Sequence, residues 1–374
     1  MKNTLNNLTL IVPTYFRQSY ALRLMRYWND KGPKVIVLDG TDCPIPQKDL
    51  VGLGSSVVYM HNPVSMHERI RSSLNLIETD YVALNGDDEF YIPSAVIKCI
   101  QELQRNQELV ACCGRALAFY PRLGSIYSNL QYPMLKNYSL DSGVPENRLT
   151  YHMTKYVPSL IYAISKKDPW KKAWIYTSHE EFPAYAIGEL QFEMCMSVAG
   201  KSRVLSELMW LRSRGEVGPL PCADASLEPK NSFPEWWRNP STKKDRDRFL
   251  YLMSDAFADL LGKSGDRRDW VVRAFDAYLL RYLEVEQRGN VSFRKHVKNI
   301  IKKILPPPYM EAISRVRRSL RSGFRSERAQ PTLSLLAAAE SLHGDGVSVD
   351  FVELRNIEET IISFHRDATC PMKQ

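Results

Sequence analysis

Three consecutive carboxylates, Asp87-Asp88-Glu89, follow the apolar run Tyr81-Val82-Ala83-Leu84 and the pair Asn85-Gly86. Such groups repel one another, so a fold keeps them where a cation or solvent relieves the charge. Hard oxygen donors of this kind suit Mg²⁺ or Mn²⁺, which bind through one or two carboxylates together with substrate phosphates. A solvated acidic turn capping the next helix is the plain alternative. Two other apolar runs also end in polar or turn chemistry. Leu8-Thr9-Leu10-Ile11-Val12 runs into Pro13-Thr14-Tyr15, and Val35-Ile36-Val37-Leu38 stops at Asp39-Gly40. Asp39 could accept hydrogen bonds from a nucleobase or ribose, or simply initiate a turn.

These residues share a site only if the runs that carry them are buried parallel strands, which read as continuous apolar stretches. Helical spacing between them fits: Tyr20, Leu24, Tyr27 and Trp28 within residues 17–30, then Ile70, Leu74 and Ile77 within 66–77, then a helix opened by Pro93. Strand–helix alternation predicts an α/β fold, a mostly parallel, Rossmann-like sheet with helices on both faces. Ligands of open parallel sheets bind at the carboxyl ends of the strands, the edge that carries the acidic triplet. Further on, strands are expected near Val110–Leu117 and Leu160–Ser165 and a helix over Ile187–Val198. Residues 216–246, with five prolines around Trp236-Trp237, read as a long irregular loop, functional or disordered. Two helices are expected at about 245–262 and 267–287. A short helix and a strand-like run, Val347–Leu354, are expected within 332–366.

At 374 residues, 44% hydrophobic and 25% charged, the chain has globular composition, which excludes disordered, collagenous and coiled-coil classes. Its length suggests two to three units at roughly 150 residues each. No run reaches the roughly 18 apolar residues of a membrane span, so the protein is expected to be soluble or to lie on a membrane. The polar start Met1–Asn7 carries no signal-peptide pattern. Seven scattered cysteines without a Cys-x-x-Cys pair argue against a zinc or disulfide framework and for reduced thiols in a cytoplasm. His67 and His179 have no metal or triad spacing. Neither a Gly-rich phosphate loop nor a Gly-x-Ser-x-Gly elbow is present.

The net charge of +8 is local. Between Arg294 and Arg328, eleven Lys/Arg face only Glu311 and Glu327, and the rest of the chain is near neutral. Apolar stripes at helical spacing (Phe293, Val297, Ile300, Ile304, then Ile313, Val316, Leu320, Phe324) are flanked by these bases. Residues 293–325 could lie on an anionic membrane surface, or pack on the protein with a solvated basic face. Aromatic residues are not interleaved with the bases, which weakens a nucleic-acid role.

Three motifs in order resemble the family-two GT-A glycosyltransferases, most closely the divergent bacterial surface-polysaccharide type: Leu8–Arg17 (LTLIVPTYFR), Val35–Asp42 (VIVLDGTD) and Tyr81–Phe90 (YVALNGDDEF). The resemblance covers about residues 8–215. Phe16 stands where the family usually has Asn, and Glu89 where it has a last Asp. The resemblance implies a GT-A catalytic domain over 1–215; composition and spacing add a Pro-rich loop and helical extension over 216–289 and a basic C-terminal region over 290–374. The resemblance also implies a nucleotide-sugar donor, a UDP-sugar first among them, contacted by Pro13, Thr14, Tyr15, Arg17, Asp39, Arg69, Asp87 and Arg212. Mn²⁺ or Mg²⁺ would sit on Asp87 and Asp88, with Glu89 as a third ligand. Arg71 and Arg214 neighbour the two candidate phosphate-binding arginines. Inverting members use a carboxylate base on a later helix. The matching stretch Ala186–Glu193 offers Glu189 first and Glu193, one turn on, as the reserve. The implied acceptor is a glycan or lipid-linked glycan on the cytoplasmic face of the inner membrane, and the Trp236-Trp237 loop would close over it. The alternatives are a nucleotidyltransferase of similar fold, or a non-catalytic membrane- or nucleic-acid-binding protein with a structural acidic cluster.

Overall fold

The computed structural model describes residues 2–122, 124–184, 186–214, 233–289 and 333–369. The basic segment 293–325 and residues 216–232 of the Pro-rich loop lie outside the described residues. After a short helix α1 (Lys2–Leu5) comes β1 (Leu8–Thr14), then α2 (Gln18–Trp28), β2 (Lys34–Asp39), β3 (Val57–His61), α3 (Met66–Ser73), β4 (Tyr81–Leu84) and β5 (Phe90–Tyr91). Strands β3, β2, β1 and β4 lie side by side and parallel, with Thr14 opposite Asp39 and Ile11 opposite Leu84. Parallel neighbours need crossover connections, and α2 and α3 supply two of them. Val12, Val37 and Val82 are fully buried on these strands, as the continuous apolar runs require. Helix α2 turns Ala21, Leu24, Met25 and Trp28 inward, and α3 starts on a Ser65–Glu68 capping box. One sheet edge thereby gathers residues 14–17, 39–41 and 85–89.

Helix α4 (Pro93–Arg105) opens on its proline and leads to the long β6 (Leu109–Arg122), then β7 (Ser125–Gln131), β8 (Ser139–Leu140) and α5 (Pro145–Thr154). Next come β9 (Ile164–Lys166), α6 (Lys167–Thr177), α7 (Ile187–Ala199) and β10 (Lys201–Ser213). The expected strand at Leu160–Ser165 is shorter, because Leu160 and Ile161 give their amides to a buried carboxylate on α7. Strand β10 pairs parallel with β6 and antiparallel with β5, setting Trp210 opposite Tyr91 and Leu211 opposite Phe90. A bulge in β10 between Val204 and Leu208 presses its backbone onto β6 at Gly114, where a Cβ would lie 2.4 Å from the Glu207 carbonyl oxygen and 2.6 Å from Met209 Cβ. Gly114→Ala should therefore cost about 1–3 kcal/mol of stability, read as a lower urea midpoint at unchanged slope.

Helices α8 (Phe233–Arg238), α9 (Lys243–Leu261) and α10 (Arg268–Gly289) follow. Trp236 and Trp237 are not on an open loop. Trp236 is fully buried and packs with Phe233 and Phe249, while Trp237 packs with Phe233 and Phe275. The five prolines concealed this, since Pro234 and Pro240 each sit in the first turn of a helical segment, where proline is tolerated. The last described elements are β11 (Leu333–Ser334), α11 (Leu335–Gly344) and α12 (Phe351–Thr369). Val347–Leu354 is not a strand. Asp350 accepts the amides of Val352 and Glu353 and starts α12, whose Leu354, Ile357 and Ile361 are fully buried at helical spacing. Strand β11 pairs antiparallel with β7, so this carboxyl-terminal stretch joins the same 11-stranded sheet. The fold is mixed α/β with a parallel central block. Among the described residues no helix is long and apolar enough to cross a membrane.

Candidate active site

The acidic residues ride on a tight turn after β4. Asn85 hangs on the sheet through its amide to the Ile11 carbonyl, and its side-chain amide donates to the carbonyls of Gly86 and Glu89. Glu89 N closes the turn onto Gly86 O at 3.2 Å. Thr14, at the end of β1, donates its hydroxyl to Asp87 Oδ2 at 2.7 Å. Arg17 stands 3.4 Å from Asp87 Oδ1 and forms a closer ion pair with Asp88. Arg23 of α2 donates to the Asp88 carbonyl at 3.2 Å. Burial pushes the Asp87 carboxyl up to about 6, the Asp88 charge adding to it while Arg17 and Thr14 hold it down. The same two carboxylates outweigh the desolvation of Arg17 and raise its pKa. Phe16 sits at φ +53°, a left-handed backbone that bulky residues rarely adopt and that Asn tolerates. Phe16 is thus a point of local strain beside the cluster.

Glu89 points away from its two neighbours. Its carboxylate accepts the Trp210 indole N–H at 2.8 Å and lies 3.6 Å from Arg212 Nε. Burial pushes it up to about 8, with Arg212 and Trp210 pulling the other way. The same desolvation lowers Arg212, so this is a loose pair rather than a tight one. The Arg212 guanidinium is framed by Tyr132, Trp210 and Tyr162 at 5.5–5.9 Å from each ring centroid, and Tyr162 stacks on Trp210 at 4.3 Å. These contacts exist because β5 pairs with β10, bringing residues about 120 apart in sequence together.

Asp39 and Arg69 are both inside the protein. Asp39 accepts Gln18 Nε2 and the Tyr59 hydroxyl, each at 2.6 Å, and the Thr41 amide at 2.9 Å. Arg69 donates to the carbonyls of Thr14, Leu38 and Val64, tying the ends of β1 and β2 to α3, and burial lowers its pKa. The two residues brace the carboxyl ends of β1 and β2. Pro13 and Tyr15 are partly exposed at the end of β1, and Arg71 and Arg214 are exposed.

Helix α7 separates its two glutamates. Glu189 is partly exposed, accepts the Tyr156 hydroxyl, and has a pKa raised by burial and by the nearby Glu193 charge, against which the Tyr156 bond acts. Glu193 has no exposed surface. It takes the amides of Leu160 and Ile161 at 2.9–3.2 Å and pairs with His152 Nε2 at 2.7 Å, while Tyr138 holds the other His152 nitrogen. Burial raises the Tyr162 pKa well above its ordinary value, and the charges of Glu89 and Glu189 add to that shift. His67 bonds Glu181 at 3.2 Å and packs against Gly188, where a Cβ would meet its Nε2 at 2.6 Å; His179 is exposed. Arg23, Tyr156, Tyr162 and Trp210 are site residues that sequence reasoning missed. Arg23 alone left a signal, a charge on the buried face of an otherwise apolar helical stripe.

Among the described residues no three His, Cys, Asp or Glu side chains gather as a metal ligand set. Asp87 and Asp88 suit a cation that completes its shell with phosphate oxygens and water. Glu89 does not fit that set, because its oxygens face Trp210 and Arg212.

No family model and no curated protein matches the sequence. Among solved structures, the chain is similar to S. aureus TarS residues 1–349, at 12% identity over 75% of this chain and 73% of that one, with a TM-score of 0.46. The same fragment in complex with UDP gives 12% identity, 81% and 76% coverage and 0.44. In complex with UDP-GlcNAc it gives 12%, 72% and 89%, and 0.40. Scores at this level describe a loosely shared architecture.

Proposed function

We propose that the chain is a glycosyltransferase that moves a sugar from a nucleotide sugar, a UDP-sugar by preference, to a glycan or lipid-linked acceptor of a bacterial surface polysaccharide, with inversion. One observation carries this: the Asp87-Asp88 turn sits at the carboxyl ends of the parallel strands, where Thr14 and Arg17 hold its carboxylates. In the proposed step Glu189 accepts the proton of the acceptor hydroxyl as that oxygen bonds to the anomeric carbon. The bond from that carbon to the diphosphate oxygen breaks on the opposite face. Arg17 and Arg212 neutralise the charge that collects on the leaving diphosphate. A Mn²⁺ or Mg²⁺ ion on Asp88 and Asp87 would add Lewis-acid neutralisation there when bound. Arg69 and Asp39 act by bracing the carboxyl ends of β1 and β2, and Glu193 by anchoring α7. Work at the inner membrane through residues 293–325 belongs to the same proposal.

Thermal stabilisation by UDP, GDP, CMP and dTDP, with and without Mn²⁺, tests it. A nucleotide at 100 times its dissociation constant should add about 2.7 kcal/mol to wild type, and Asp88→Ala should lose that gain. Equal stabilisation of Asp88→Ala would remove the metal assignment. No shift with any nucleotide would move the balance to a non-catalytic binding protein.

A further inference from the structure

Helix α12 reaches the acidic turn through a chain of rings and guanidinium groups. Phe364 packs on Tyr20 at 5.0 Å between centroids, and the Arg23 guanidinium lies 4.6 Å from the Phe364 ring. Arg23 also faces Phe90 at 5.0 Å and Tyr20 at 5.1 Å, so rings from α2, β5 and α12 enclose it. From that cage its Nη2 donates to the Asp88 carbonyl, and Arg17, the ion-pair partner of Asp88, lies 4.9 Å from the centroid of the same Tyr20 ring. The amino end of α12 is pinned independently, with Glu353 accepting the Ser94 amide and hydroxyl at the start of α4. An arginine 5% exposed keeps one orientation only while its walls stand, and Phe364 is the wall that comes from far along the chain.

We propose that Phe364 is a positioning residue of the donor site: through Arg23 and Tyr20 it fixes the backbone of the acidic turn and the approach of Arg17 to Asp88. This rests on the nucleotide-sugar reading for its ligand, but not for its effect on the turn. The test uses the full chain as wild type, Phe364→Ala, Phe364→Tyr, Arg23→Met and the double variant, with two readouts: UDP affinity in Mn²⁺, and hydrogen exchange of the amides of residues 86–89 without nucleotide. Phe364→Ala should weaken UDP about tenfold and speed exchange in the turn, Phe364→Tyr should restore both, and the double variant should be no worse than Arg23→Met alone. Unchanged affinity and exchange, with only the melting temperature lowered, would overturn the proposal. Faster exchange in Phe364→Ala, in a protein whose wild type binds no UDP, would uphold the positioning and sink the donor assignment. Should Phe364→Ala fail to fold, Phe364→Leu and Arg23→Met carry the same two readouts.

Discussion

Glu189→Gln should abolish sugar transfer, by about 10³-fold or more in kcat, while UDP affinity stays within twofold of wild type. The amide keeps the shape and an acceptor for the Tyr156 hydroxyl but takes no proton, so the loss falls on chemistry rather than on donor binding. A transfer assay beside a UDP titration separates the two, and retention of a tenth of wild-type kcat would exclude Glu189 as the base. The pH profile carries a second signature. Burial raises the Glu189 pKa, and the base works only when ionised, so activity should fall on the acid side at a pH above the usual carboxylate range. The Tyr156 bond favours the ionised form, so Tyr156→Phe should move that acid limb further up. A limb that moved down would reverse the sign of the argument.

Glu193→Ala should be the most destabilising single change at the site, by about 3–5 kcal/mol. It strips two buried amides and His152 of the partner they share. Urea denaturation followed by circular dichroism measures it, and Glu193→Gln, which keeps an oxygen for one amide, should cost about half as much. If Glu193→Ala were as stable as wild type yet inactive, Glu193 rather than Glu189 would be the proton acceptor. The two glutamates thus differ in setting: Glu193 is fully buried and holds the helix in place, and Glu189 is partly exposed.

In the sequence these glutamates lie four residues apart on one helical face, with Glu189 ranked first by motif position alone, and what separates them physically is the 157–161 segment lying over Glu193. That kind of information is tertiary. The parallel block was readable because buried strands leave continuous apolar runs, and Leu8–Val12, Val35–Leu38 and Tyr81–Leu84 all became neighbouring strands. The position of the acidic turn at their carboxyl ends followed from the same alternation. The direction of Glu89 did not follow, because it depends on β5 meeting β10 about 120 residues later. Asp39 was legible at a strand end and Arg69 on the helix before the acidic strand, but their enclosure by Gln18, Tyr59 and backbone carbonyls was not. Val347–Leu354 misled through its alternating apolar residues, where the Asp350 cap and the longer 3.6-residue period of Leu354, Ile357 and Ile361 decide for helix.

The pairing of β11 with β7 and the seat of Phe364 on α2 also set the order in which the protein can be finished as it is made. Synthesis runs from the amino end at about 5–20 residues per second, and the early strands can pair as soon as they emerge. The acidic turn, however, precedes α12 by roughly 260 residues, so its supporting wall arrives tens of seconds after the turn itself. During that interval the edge of β7 and the outer face of α2 stand uncovered on the ribosome-bound chain. A nascent protein stalled before residue 333 would carry most of its sheet and both aspartates of the turn, yet lack the Phe364 wall around Arg23.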